Sequence, residues 1–183
     1  MNEPKVTIFC VTYNQDKYIR QCLESFLNQK TNFKFEVLIA DDCSTDLTPQ
    51  IIKEYAQKYP EIIKPIFRDK NIGPGQNFVY GLQKVTGKYI AYCEGDDFFE
   101  DENKIQLQAD FLDTNPKCSF CFHPVRVFFE NKEEPDYIFP SNGKNKKYTL
   151  ERLLKSNFIQ SNAVMYRKMD YSNIPTNIQG TSA

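Results

Sequence analysis

The stretch "FEVLIADDCSTDLTPQIIKEYAQKYP", residues 35–60, contains one complete unit of the fold. Its first six residues are almost continuously apolar, the pattern of a strand buried on both faces rather than one that alternates. They run without a linker into an acidic turn, "DDCSTD", and then into a helix. Asp46 or Thr48 can cap that helix, Pro49 fits its first turn and Pro60 sets its end. A buried strand that feeds directly into a helix belongs to a βαβ arrangement, so units of the same kind are expected on either side.

They are present. Upstream, "KVTIFCV", residues 5–11, predicts a buried strand, and Ile19, Cys22, Leu23, Phe26 and Leu27 give "DKYIRQCLESFLNQ" one apolar helical face, with Asn14 or Asp16 as candidate N-cap. Downstream, "IKPIF" (63–67) and "YIAYC" (89–93) predict strands separated by a Gly/Pro-rich loop and a short helix on Phe78, Val79 and Leu82, closed by Gly87. Ile105, Ala109 and Leu112 mark a further helix that stops before Pro116. Asp101 is its cap, and Glu100, Asp101 and Glu102 complement its dipole. "SFCFHPVRVFF" (119–129) is strand-like but interrupted by Pro124, and 130–147 has the charge and turn residues of a surface loop. "TLERLLKSN" predicts a short helix capped by Thr149, and "SNAVMYRK" (161–168) a last strand. The expected fold class is α/β, a mostly parallel central sheet with helices on both faces.

At 183 residues, one domain over 1–183 is expected. Net charge is −1, from 23 basic and 24 acidic residues, which excludes a long-range pull toward nucleic acid or an anionic surface. No stretch reaches the roughly 18 apolar residues of a spanning helix and the N-terminus has no signal-peptide pattern, so a cytoplasmic location is expected. The six cysteines sit mostly in apolar runs, as small buried hydrophobes do. "CSFC" lacks the second ligand pair that zinc needs, and His123 is the only histidine.

In a parallel sheet, ligands bind at the carboxyl ends of the strands. Three predicted strands end there in polar knots: "TYNQ", "DDCSTD" and "EGDDFF". Tyr13, Asn14, Asp41, Asp42, Asp96 and Asp97 are therefore expected to face one cleft. Carboxylates that close repel one another unless a cation joins them, and Mg²⁺ or Mn²⁺ fits oxygen ligands with positions open for substrate phosphate. Each knot alone has a plainer reading, "DDCSTD" as Asx-type capping and "GDD" as a solvated acidic loop. Their common direction, each after a buried strand, is what sets the three apart from such isolated turns.

In order along the chain, "VTIFCVTYNQDKYIRQCLESFLNQ", "FEVLIADDCSTDLTPQII", "NIGPGQNFVYGL" and "GKYIAYCEGDDFF" resemble the successive blocks of family 2 glycosyltransferases with the GT-A fold. "NKIQLQADFLDTNPKCSFCFH" is similar to a branch that builds bacterial surface polysaccharides. The resemblance implies an inverting, metal-assisted transfer from a nucleotide-sugar donor, UDP-linked, to a glycan or lipid-linked acceptor. The full-length protein would lie peripheral to the inner membrane. It implies that Tyr13 stacks on the base, that the backbone at Val11 and Thr12 lines the same pocket, and that Asp42 hydrogen-bonds the base with Asp41 as its support. Asp96 would face ribose and sugar, Asp97 would hold the metal, and Glu94 and Gly95 would shape that turn. Where many relatives carry a basic residue that meets phosphate, this chain has Gln76 and Asn77. Asn77 is counted among the donor contacts, and Arg68 and Lys70 lie just before.

The family's general base follows the "SNAVMYRK"-like block, whereas here no acid follows Asp170. The resemblance therefore implies a base beyond Ala183 and a chain truncated at its acceptor-binding end, binding donor better than it transfers sugar. His123 ends a predicted strand on the acceptor side and is a candidate to touch substrate or metal, although a lone histidine there is more often structural. Alternatives are a sugar nucleotidyltransferase, which would want a glycine-rich basic first loop, a phospho-accepting receiver, which would want acids after the first strand, and a non-catalytic nucleotide-sugar-binding module.

Overall fold

The computed structural model describes residues 3–131, 134–141, 150–155, 157–171 and 173–174. Its strands are β1 (Val6–Thr12), β2 (Phe35–Asp41), β3 (Ile63–Phe67), β4 (Tyr89–Glu94), β5 (Phe120–Cys121), β6 (Val125–Val127), β7 (Tyr137–Phe139) and β8 (Met165–Arg167). Its helices are α1 (Ile19–Leu27), α2 (Thr48–Lys58), α3 (Pro74–Leu82), α4 (Lys104–Thr114) and α5 (Leu150–Lys155), with a 3-10 turn at Ser161–Ala163. No helix among the described residues is long and apolar enough to cross a membrane.

The central sheet runs β3-β2-β1-β4-β8-β5, and β6 and β7 form a separate antiparallel pair. β1 to β4 are mutually parallel, and β8 runs antiparallel between β4 and β5. β1 is central because both its faces are apolar. Ile8 and Cys10 enter a core with Ile19, Leu23, Phe26, Ile52, Ile105 and Leu112, while Phe9 enters a second core with Leu38, Leu82 and Ile90. Alternate residues of one strand thus bury against α1, α2 and α4 on one face and α3 on the other. All six cysteines are free thiols.

Several local expectations are corrected. α1 starts at Ile19, with Tyr18 at the N-cap, so neither Asn14 nor Asp16 caps it. Asn14 adopts a left-handed φ of 53° and accepts from Thr45 N at 2.8 Å, and Asp16 N donates to Asp46 Oδ2 at 3.0 Å. Long-range bonds to the β2–α2 turn take both residues away from the local cap. Asp46 does accept from Thr48 N, at 2.9 Å, although Leu47 occupies the α2 N-cap. Asn103, not Asp101, stands at the α4 N-cap; Asp101 accepts from Asn103 N at 2.8 Å and so shapes the lead into the helix. α3 ends at Leu82 with Gln83 as its C-cap, not at Gly87, which instead meets β1 side on. The 119–129 strand divides at Pro124, with β5 joining the main sheet and β6 pairing with β7, a strand inside the expected 130–147 loop. Residues 161–163 turn before β8 begins. Thr149 lies outside the described residues.

Candidate active site

Register brings the strand ends level, since Thr12 pairs with Asp41 and Val11 with Glu94. The turns beyond are then tied together, Asp42 N donating to Thr12 O and Gly95 N to Val11 O, each at 3.0 Å. Gly95 lies hard against the first turn. A Cβ there would stand 2.4 Å from Gln15 Oε1, 2.6 Å from Thr12 Oγ1 and 2.8 Å from Thr12 Cβ. The acidic turn and the Tyr13 turn are therefore one packed surface. Gly95→Ala is expected to push them apart at a cost of about 1–2 kcal/mol, because most of the crowding falls on side-chain ends that can move. Urea denaturation checks the stability, and nucleotide titration should register the displaced turn as weaker binding.

The first two turns are braced from behind. Asn14 N donates to Ser44 Oγ at 2.8 Å, and Gln15 N donates to Thr48 Oγ1 at 2.9 Å. Asp41 is 2% exposed and accepts from Ser44 N and Ser44 Oγ; burial raises its pKa against those bonds. Asp42, also 2% exposed, accepts from Ile72 N at 2.9 Å and Gly73 N at 2.8 Å, which anchors the loop before α3. Asn77 is buried, with Nδ2 donating to Ala40 O at 2.8 Å and Oδ1 facing Arg68 Nε. Tyr13 differs from all of these. Its ring is 46% exposed at the rim of this framework.

At the end of β4, Glu94, Asp96 and Asp97 each offer a carboxylate oxygen, all within 4.8 Å of one another. This is the one such group among the described residues that could hold a metal ion. Burial, then the charges of Asp96 and Glu94, push the Asp97 carboxyl up to about 6, opposed by a hydrogen bond from Asn162. Ser161 Oγ contacts Glu94 Oε2 at 3.3 Å, so one 3-10 turn orients two of the three acids. The fit to a divalent cation is good. The donors are hard oxygens, Asp96 is exposed, and the mutual repulsion is what a bound cation relieves. Glu94, expected only to shape the turn, is a full member, and its position two residues before Asp96 is the signal that reveals it. Glu100 pairs with Arg126 Nη2 and Glu102 with Lys30 Nζ, outside the cluster.

Two cavities open beside these acids. One, of 620 Å³, is lined by Asp97, Lys104, His123 and Asn162 among others; the other, of 740 Å³, takes in Tyr18, Asp96, Asp97 and β6. Neither includes Tyr13, Asp41 or Asp42. His123 lies inside the first, its Nδ1 2.8 Å from Pro124 O and its Nε2 buried without a partner. Burial and the neighbouring Lys104 lower its pKa. Lys104 gave no sign in the sequence, because burial of a lysine cannot be read from residue type.

A mostly parallel sheet with helices on both faces and an acidic turn at its open edge is the GT-A architecture. The model for "Glycosyl transferase family 2" matches residues 7–174, and the chain belongs to that family. An uncharacterized protein of Mycobacterium tuberculosis (strain H37Rv) is 45% identical over 174 residues, 94% of this chain and 50% of that protein. The chain thus spans about half the length of that relative. Among solved structures, Staphylococcus aureus TarS 1-349 in complex with UDP-GlcNAc matches with a TM-score of 0.64 and 25% identity, over 90% of this chain and 45% of that one. A mannosyltransferase from Pyrobaculum calidifontis in complex with GDP-Man and Mn²⁺ shares the fold, with a TM-score of 0.58 and 22% identity over 66% of this chain and 35% of that one.

Proposed function

We propose that this chain binds a UDP-linked sugar and, within its full-length protein, transfers that sugar with inversion to a glycan or lipid-linked acceptor in bacterial surface-polysaccharide synthesis. The observation that carries the reading is the packed contact of Gly95 on Thr12 and Gln15, which joins an exposed aromatic to a three-carboxylate seat. Tyr13 stacks on the base. Asp42 and Asp41 hold the two loops that flank it, and the backbone at Val11 and Thr12 forms the floor with Asn14 and Asn77 behind. Asp96, exposed, faces ribose and sugar. Asp97, with Asp96 and Glu94, would hold Mn²⁺ or Mg²⁺, which supplies charge neutralisation for the departing diphosphate. His123 lies on the acceptor side. TarS, named a poly(ribitol-phosphate) beta-N-acetylglucosaminyltransferase and solved with UDP-GlcNAc, supports the choice of a UDP-sugar and of a polymeric acceptor.

Calorimetric titration of UDP, GDP and dTDP, with and without Mn²⁺, tests the proposal. UDP is expected to bind best and to gain about tenfold with Mn²⁺, and Tyr13→Ala to lose about tenfold for want of stacking. Equal binding of all three nucleotides with no response to Mn²⁺ would reject it.

A further inference from the structure

The 620 Å³ cavity behind Asp97 carries polar groups whose bonding capacity the protein leaves unfilled. Pro124 O can only accept, so His123 Nδ1 carries the proton that it shares with that carbonyl, and Nε2 presents a lone pair. That Nε2 and Asn162 Oδ1 are both buried and both without a partner, and both residues line the cavity. Two buried acceptors therefore want donors, which is what hydroxyl groups supply.

Lys104 makes the opposite demand. The residue is 5% exposed, its Nζ lies 3.8 Å from the Phe99 ring centroid, and it donates to Gln108 Oε1 at 3.1 Å. Gln108 is itself fixed by donating to Ala163 O at 2.8 Å. An ammonium has three protons to give, and Lys104 has no ion pair with a carboxylate among the described residues. Asp97, Glu100, Asp101, Asp136 and Arg126 also line the cavity, Glu100 paired with Arg126, but none of these acids forms an ion pair with Lys104; a buried cation left without such a partner is costly, and its desolvation lowers the Lys104 pKa to about 8. A leucine or methionine would fill the same space without that cost. The charge has a use if an anion arrives with the ligand.

We propose that this cavity is a saccharide subsite selective for a sugar or polyol bearing an anionic group, with hydroxyls donating to His123 Nε2 and Asn162 Oδ1 and a carboxylate or phosphate accepting from Lys104 Nζ. The assignment rests on the reading of the acidic edge as a glycosyl-transfer site and names the class of substrate it takes. A volume of 620 Å³ holds such a ring with room for its substituent.

The test compares glucuronate with glucose, and glycerol phosphate with glycerol, by NMR titration of the whole chain at neutral pH without metal. The anionic member of at least one pair is expected to bind about tenfold tighter, the range of a hydrogen bond to a charged group. Lys104→Met, which keeps the stem and removes the charge, is expected to bring that ratio to parity while holding or raising the melting temperature. His123→Phe should weaken both members of a pair alike and leave their ratio intact. If UDP-glucuronate outbinds UDP-glucose by the same factor, the anion belongs to the donor sugar; if glycerol phosphate still binds when UDP is saturating, it belongs to the acceptor. Parity of both pairs in the unaltered chain overturns the proposal, as does a preference that survives Lys104→Met. The UDP and Mn²⁺ titration is read separately, so loss of nucleotide binding would strike the transferase reading without obscuring this comparison.

Discussion

Asp97→Asn is expected to abolish the Mn²⁺-dependent gain in UDP affinity and, at the same time, to raise the melting temperature at pH 7.5. The seat needs charge and the fold resists it. Asp97 has its carboxyl pushed from 3.8 up to about 6, first by burial and then by Asp96 and Glu94. Between those values the folded chain holds a proton that the unfolded chain releases, so stability falls as pH rises through this window and the full penalty applies above about 6. Asparagine never ionises and escapes it. Because Asp97 is only partly buried, the penalty is discounted for solvent screening to about 1 kcal/mol, or about 2–4 °C. Melting curves of the two proteins should therefore differ at pH 7.5 and converge below pH about 4. A variant that is less stable at every pH would show that Asp97 is a structural residue.

Gly87→Ala is expected to be the most damaging single methyl added to this chain. Its Cβ would stand 2.5 Å from Thr7 N and 2.8 Å from Val6 C. These are backbone atoms of β1, which is hydrogen-bonded to β2 on one side and β4 on the other. No rotamer can relieve the contact, whereas at Gly95 two of the three crowded atoms are side-chain ends. Gly87 N also donates to Thr7 Oγ1 at 2.9 Å, a buried bond that any displacement breaks. A loss of about 3 kcal/mol or more is expected, read as a fall in urea midpoint, with a melting temperature lower by about 6–12 °C. A loss near zero would mean that the start of β4 does not lie against β1 as described.

The parallel half of the sheet was legible because β1, β2 and β4 are apolar on both faces and each stops at a polar knot. Strands apolar on both faces belong in the interior of a covered sheet, and β1 lies between β2 and β4 there. The direction of the edge was legible too, and with it the acids at 96 and 97. What it hid was long-range. Asn14 and Asp16 look like local caps, and only the folded turn shows that the 44–48 segment uses them instead. Asp41 and Asp42 look like ligands, and only the folded structure shows that their oxygens also hold loops, accepting from Ser44, Ile72 and Gly73. Beyond residue 118 the strands have two or three residues each, too short for any periodicity to register. The place of β8 in the sheet and the burial of Lys104 depend on contacts that no local pattern encodes.

The position of β8 also sets an order of assembly. The four parallel strands can close on one another early in synthesis, whereas β5 finds β8, its sheet neighbour among the described residues, when Met165–Arg167 emerges far downstream. The same late segment brings Ser161 and Asn162 to Glu94 and Asp97. A nascent or proteolytically nicked chain that stops short of it would retain the walls around Tyr13 and yet hold its three carboxylates unaimed.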